Sequence, residues 1–253
     1  MPILPFIEPD WPAPANVVAY CTTRQGGVSS APHDALNLAS HVGDSSSSVA
    51  ENRERLRLAL GCEIQLSWLD QVHGAAAVEA QLQSCPAADA QWSRKPGLAC
   101  TVMTADCLPV LFCAQSGDVV AAAHAGWRGL QAGVLEATIA AMATPAAQLL
   151  AWLGPAIGPE AFEVGPEVYA AFVQSDTAEP AATRACFRPS PGRPEHWYAD
   201  LYALARLRLA MAGVTRIYGG DCCTYHDSAR FFSYRRDGQT GRMASLVALR
   251  PGG

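Results

Sequence analysis

The chain has 253 residues, half of them hydrophobic and only 16% charged, with a formal net charge of −5. This composition excludes disorder as the main state, and it excludes a basic nonspecific nucleic-acid binder, which needs a positive face to neutralise phosphates. At this length one large core or two intimately packed halves are expected, with roughly three quarters of the unfolded surface removed from water.

Residues 1–10 lack the basic and continuous apolar segments of a secretion signal, and no later run reaches membrane-spanning length. A cytoplasmic protein with no membrane partner is the expectation. The first predicted strand is Val17–Thr22. It is followed by Thr23-Arg24-Gln25-Gly26-Gly27, whose paired glycines allow a tight turn and leave Arg24 at a strand end. A polar stretch around Asn37, His41, Gly43 and Asp44 leads to four serines at 45–48. One of these caps a helix that runs through Val49, Asn52, Leu56 and Leu60 to the Gly61 stop.

Strands are then expected near 67–72 and 75–80, with His73-Gly74 between them, and Asp89 and Trp92 fall in a more irregular connection. Residues 98–103, 109–113 and 119–124 are short apolar runs bounded by turn residues, the pattern of buried strands. Helical composition follows to about Met142, then a strand at Leu149–Leu153 and a shaped loop at 154–159. Helices are predicted near Pro166–Val173 and 200–211, the latter with Leu201, Leu204, Ala205 and Arg208 at helical intervals. Residues 184–195, rich in proline and charge, form the best loop candidate. Segments 216–218, 231–234 and Met243–Leu249 return to strand composition, and Arg235-Arg236-Asp237-Gly238 has the make-up of a charged hairpin tip. With no polar linker to divide it, the alternation predicts a single mixed α/β domain over 1–253.

Nine cysteines are an odd number in a chain too large to require staples, so reduced thiols are expected. Cys21, Cys62, Cys100 and Cys113 lie among apolar residues and read as packing groups; Cys107, Cys222 and Cys223 lie beside polar or glycine-rich turns. Three strings place a possible ligand at the edge of an apolar strand. They are Gln71-Val72-His73-Gly74, Thr104-Ala105-Asp106-Cys107-Leu108-Pro109 and Ala123-His124-Ala125-Gly126-Trp127-Arg128-Gly129. One thiolate and two imidazoles can hold Zn²⁺ and leave a fourth position for water, whose acidity the metal raises. The wide separations form no compact ligand motif, so ordinary packing stays open. So does a thiolate nucleophile at Cys107, activated by one histidine with Asp106 as orienter. Arg24 and Arg128 suggest anion recognition, with surface ion pairing as the alternative. Trp127, Tyr225, Phe232 and Tyr234 offer ring surface for a purine or for the core.

These strings, with Thr22-Thr23-Arg24-Gln25-Gly26-Gly27, Trp68-Leu69-Asp70-Gln71-Val72-His73-Gly74, Gly154-Pro155-Ala156-Ile157-Gly158, Phe231-Phe232-Ser233-Tyr234-Arg235-Arg236-Asp237-Gly238 and Thr240-Gly241-Arg242-Met243-Ala244-Ser245, cover most of the chain. They closely resemble the bacterial family historically named polyphenol oxidase or laccase-domain protein, also described as purine nucleoside phosphorylases and peptidoglycan editing factors. The resemblance implies a compact α/β sandwich of four layers, with two central sheets covered by helices. It implies a zinc site of His73, Cys107 and His124, with copper less favoured because no His-x-His array accompanies it. Implied activities are purine nucleoside phosphorolysis, adenosine deamination and methylthioadenosine phosphorolysis. The implied partners are purine nucleosides and phosphate, or alternatively a nucleotide-linked muropeptide precursor cleaved at an amide; a metal-binding regulatory role is a further alternative. Arg24, Arg128 and Ser233 are then the expected substrate contacts, and Asp106 is expected to handle protons beside the three ligands. A monomer is expected.

Overall fold

Five strands of this protein are buried at every residue, and their sequences are unbroken apolar runs rather than alternating ones, because both faces of each are covered. The computed structural model describes residues 4–61, 63–174 and 179–252. In chain order these form β1 (Phe6–Ile7), β2 (Val17–Thr22), α1 (Ser46–Leu60), β3 (Gln65–Ser67), β4 (Ala77–Glu79), β5 (Ala90–Ser93), β6 (Leu98–Thr104), β7 (Leu108–Ala114) and β8 (Val120–Ala125). The second half adds α2 (Trp127–Ala132), α3 (Val134–Ala141), β9 (Leu149–Leu153), β10 (Glu163–Val164), α4 (Pro166–Val173), α5 (Pro180–Ala185), β11 (Phe187–Pro189) and β12 (Trp197–Ala199). It closes with α6 (Leu201–Met211), β13 (Arg216–Gly219), α7 (Tyr234–Asp237) and β14 (Met243–Leu249).

The strands assemble as β1-β2-β14-β6-β3, as β13-β9-β7-β8-β5-β4, and as a small sheet β10-β12-β11. The result is a compact mixed α/β fold with several sheets covered by helices. Pleating sends successive side chains to opposite faces. Val110, Phe112, Ala121 and Ala123 accordingly join a cluster with Leu135 of α3 and Leu204 of α6. Their neighbours Leu111, Cys113, Val120 and Ala122 meet Cys21, Cys100, Val102 and Val247 of the five-stranded sheet. That sheet's other face sends Val18, Met103 and Leu246 to Leu56 of α1. Each large side chain so buried contributes roughly 1.5–3 kcal/mol. Among the described residues no helix is long and apolar enough to cross a membrane.

Several expectations are corrected. The strand predicted at 67–72 ends at Ser67; beyond it Asp70 makes an isolated bridge to Ala87, and the Val72 N–H turns to the Asp89 side chain. Helical composition to Met142 is split in two by Gly133 at φ 96°. Part of the predicted loop 184–195 is β11, which pairs with β12. The predicted strand 231–234 is absent: Phe231 and Phe232 are buried, but the Ser233 side chain accepts the Arg236 N–H and starts α7. Arg235-Arg236-Asp237 is therefore a helical turn, not a hairpin tip. Ser45 and Gly61 do bound α1, although the Ser45 side chain makes no capping bond to the backbone. Cys21, Cys100 and Cys113 are buried free thiols, as expected of packing groups, and burial pushes each of them up, Cys21 and Cys113 to about 12. Cys62 lies outside the described residues.

Candidate metal centre

The two large sheets end side by side, and three of the predicted residues meet there. His73 lies in the loop between β3 and β4, Cys107 in the tight turn from β6 to β7, and His124 near the end of β8. Their ligand atoms all lie within 4.8 Å of one another. The two imidazoles meet edge to face with ring centroids 4.8 Å apart. Tetrahedral zinc with one sulfur and two nitrogen ligands needs donor separations of roughly 3.3–3.8 Å, so a small closure of this triangle suffices. Among the described residues this is the group of three histidine, cysteine or acidic side chains gathered closely enough to hold an ion.

Asp89 holds this arrangement and was not singled out in the sequence. Its side chain is fully buried. It accepts hydrogen bonds from the backbone N–H of Val72 (3.2 Å), His73 (2.9 Å) and Gly74 (2.6 Å), and lies 2.8 Å from Nδ1 of His124. The backbone oxygen of Asp89 also accepts the His124 N–H at 2.7 Å. One carboxylate therefore fixes both histidines, and its bond to Nδ1 leaves Nε2 as the remaining donor of His124. Asp89 does sit in the irregular connection between β4 and β5, as expected, whereas Trp92, expected in the same connection, lies within β5. Its signal was hidden because its partners stand 16 and 35 residues away.

The backbone is strained around the triad. His73 (φ 60°) and Asp106 (φ 87°) adopt the left-handed region without being glycine. Gln71 ties the His73 loop to β6 by donating to the Met103 carbonyl and accepting its N–H, both at 2.8 Å. Asp106 accepts from the Thr224 hydroxyl at 2.6 Å and from the Arg235 N–H at 2.7 Å. It thus anchors α7 over the site and makes no hydrogen bond to a triad histidine. Gly126 is required by contact: a Cβ there would lie 2.9 Å from Cys107 Sγ and 3.3 Å from His73 Cδ2.

Burial alone would push the Cys107 thiol up, but the charge and hydrogen bond of His124, with those of His73, bring it down to about 6. Burial would lower His124, yet the Cys107 thiolate and Asp89 raise it to about 9. In metal-free protein these neighbours favour the thiolate of Cys107. Iodoacetamide at pH 7 is expected to label it faster than exposed Cys85, while Cys21, Cys100 and Cys113 lag, and its rate is expected to fall only as pH drops below about 6. Peptide mapping over a pH series checks this; a Cys107 rate no higher than that of Cys85 at pH 7 contradicts it.

The triad opens into a cavity of about 310 Å³, lined also by His41, Gln71, Met103, Asp106, Ile157, Phe162, Tyr234, Arg235 and Arg242. That volume is at the small end of the range for small-molecule sites. Of the predicted aromatics Tyr234 lines it. Trp127 and Tyr225 pack on the core, and Phe232 is buried beneath Arg24, whose guanidinium lies 4.7 Å from the ring centroid. Arg24 is held by Asp34 and the Ser228 carbonyl, and exposed Arg128 lies over Trp127 at 4.3 Å. Neither arginine is among the lining residues; Arg235 and Arg242 are. Ser233 is fully buried as the cap of α7. Cys223 accepts the Gly158 N–H through its sulfur at 3.2 Å, a structural contact.

The family model described as multi-copper polyphenol oxidoreductase laccase matches residues 18–250. A Pseudomonas aeruginosa protein named purine nucleoside phosphorylase is 59% identical over 244 residues, covering 96% of this chain and 98% of that one. YfiH of Escherichia coli, also named purine nucleoside phosphorylase, is 51% identical over 246 residues, covering 96% and 98%. Among solved structures, a Neisseria meningitidis protein of the family model DUF152 matches with a TM-score of 0.92 at 50% identity, covering 97% of this chain and 99% of that one. YlmD from Geobacillus stearothermophilus matches with 0.89 at 30% identity, covering 99% and 100%.

Proposed function

This chain belongs to the multi-copper polyphenol oxidoreductase laccase family, whose relatives here carry purine nucleoside phosphorylase names, and from that premise we propose that it is a zinc-dependent purine nucleoside phosphorylase. Adenosine deamination and methylthioadenosine phosphorolysis are proposed as further activities of the same cavity. The observation that carries the reading is the convergence of His73, Cys107 and His124 at the wall of a nucleoside-sized cavity that also holds ring surfaces and arginines.

His73, Cys107 and His124 would hold the ion, which when bound supplies Lewis-acid charge stabilisation. A soft thiolate with two imidazoles suits zinc, and also copper(I). Zinc is preferred because multi-copper oxidation needs further copper sites and one donor group is gathered among the described residues. The chain's own side chains supply the rest. Phe162 and Tyr234 offer faces for the purine. Asp106 Oδ2, whose protein donor is the Arg235 N–H, is the proposed proton acceptor. Ser233 sets Tyr234 and Arg235 through its cap. Arg128 is proposed as a rim group that draws the anion in, and Arg24 as a brace for residues 228–230, whose carbonyls at 228 and 230 it binds. In phosphorolysis an oxygen of hydrogen phosphate bonds to ribose C1′ as the glycosidic C–N bond breaks; the departing base takes the bonding pair, and the proton that the phosphate gives up passes by way of Asp106 to the base.

A second reading, hydrolysis of an amide in a nucleotide-linked muropeptide precursor, is favoured by one observation. A second cavity of about 490 Å³ shares His41, Tyr234 and Arg242 with the first, room that a nucleoside alone does not need. For the fold, the proposal extends to four layers, supported by apolar clusters on both faces of each large sheet. Purified metal-replete protein incubated with inosine and phosphate is expected to release hypoxanthine and ribose 1-phosphate in equal amounts. Absence of both products, with amino-acid release from the muropeptide, would replace the first reading by the second.

A further inference from the structure

The two adjoining cavities share a wall of His41, Tyr234 and Arg242. Arg242 is half-buried there, and its Nη1 donates to the carbonyls of Thr240 (2.9 Å) and Gly241 (3.0 Å). Those bonds use both Nη1 hydrogens. Nε and Nη2 have no acceptor among the described residues, and their parallel N–H bonds form the side-on fork that matches two oxygens of one oxyanion. Unlike Arg24, Arg94, Arg208 and Arg236, Arg242 has no carboxylate within ion-pair distance among the described residues. The negative groups near it are Cys107 and Asp106. Cys107 faces the histidines, and Asp106 is bound to Thr224 and the Arg235 N–H. A half-buried guanidinium whose nearby negative groups are engaged elsewhere and make no contact ion pair with it is left with two donors for an anion from outside the protein.

We propose that Arg242, at the wall it shares with His41 and Tyr234, is the oxyanion-binding side chain of this protein and takes a phosphate group at the junction of the two cavities. The phosphate comes either as the free inorganic ion or as the phosphoryl group of an organic substrate reaching into the second cavity. This inference deepens the phosphorylase reading, and its first source of phosphate rests on that reading. Tyr234, 62% exposed and lining both cavities, flanks the guanidinium at 5.9 Å, so an anion on the fork lies beside the ring proposed to stack the base.

The test is direct binding, without turnover, to metal-loaded protein by calorimetry. Inorganic phosphate forms one arm and inosine 5′-monophosphate the other, with inosine as the uncharged comparison. Arg242→Gln is expected to weaken the arm that represents the true source by at least about tenfold, the scale of one charge-assisted fork. Arg242→Lys is expected to recover part of the loss, with zinc content and melting temperature held at wild-type values. Loss confined to inorganic phosphate identifies the free ion, and loss confined to the monophosphate identifies a phosphorylated substrate. Equal binding of both ligands by wild type and Arg242→Gln would overturn the proposal, as would weakening produced by Arg24→Gln or Arg128→Gln and not by Arg242→Gln. If Arg242-dependent binding is found but no ribose 1-phosphate is ever formed, the phosphorylase reading fails and the oxyanion site stands. If phosphorolysis occurs with a phosphate KM untouched by Arg242→Gln, the reverse holds.

Discussion

Asp89→Ala is expected to lower the stability of the metal-free protein by roughly 3–5 kcal/mol, the range for removing one partner of a buried charged network. The methyl group would leave the amides of Val72, His73 and Gly74 and the Nδ1 of His124 without their common acceptor. Each buried orphan costs about 1–3 kcal/mol, non-additively because the groups share one site. Asp89→Asn keeps the shape but turns a donor toward donors, and metal affinity is expected to fall about 10–100-fold. The pH dependence has a definite sign. Burial would raise the Asp89 carboxyl, but its His124 and backbone bonds hold it below the ordinary carboxylate value. Its stabilisation is therefore complete above the unfolded value of about 3.9 and is lost as pH falls through the lower folded value. Thermal melts from pH 7 to 3 check both points. A melting curve for Asp89→Ala within about 0.5 kcal/mol of wild type would contradict the assignment.

Cys107→Ala is expected to reduce turnover by more than the roughly hundredfold typical of outer-shell substitutions at metal sites, with metal retention falling in parallel. Two chemistries predict that loss, so the informative partner is Cys107→Asp. A carboxylate is a competent metal ligand but no thiol nucleophile. Partial recovery of both metal binding and turnover in Cys107→Asp supports coordination. Metal bound normally with no turnover, together with a covalent adduct trapped on wild-type Cys107, would favour the thiolate nucleophile.

How far the molecule was legible depended on whether a feature was local. The central strands β6, β7, β8, β9 and β14 were readable as continuous apolar runs, because their sheets are covered on both faces. The bounds of α1 were readable from Ser45 and Gly61. Residues 231–234 misled because Phe231-Phe232 has strand composition, whereas the buried Ser233 cap decides the local geometry. The three ligands could be named from motifs at strand edges, but their meeting is tertiary. Asp89 carries no local mark, since its three amide donors lie in the β3–β4 loop and its histidine in β8, both remote in sequence. Arg242 lay inside a recognised motif without a role, because only the folded chain shows which of its donors are left over.

His73, Cys107 and His124, remote in sequence, are proposed to hold one ion where the two large sheets end. Titration of metal-free protein with zinc, read by mass spectrometry under native conditions, tests it most directly. One tightly bound zinc per wild-type chain is expected, and none in folded His73→Ala or His124→Ala, while His196→Ala retains it. Equal zinc binding by wild type and both triad variants would contradict the account.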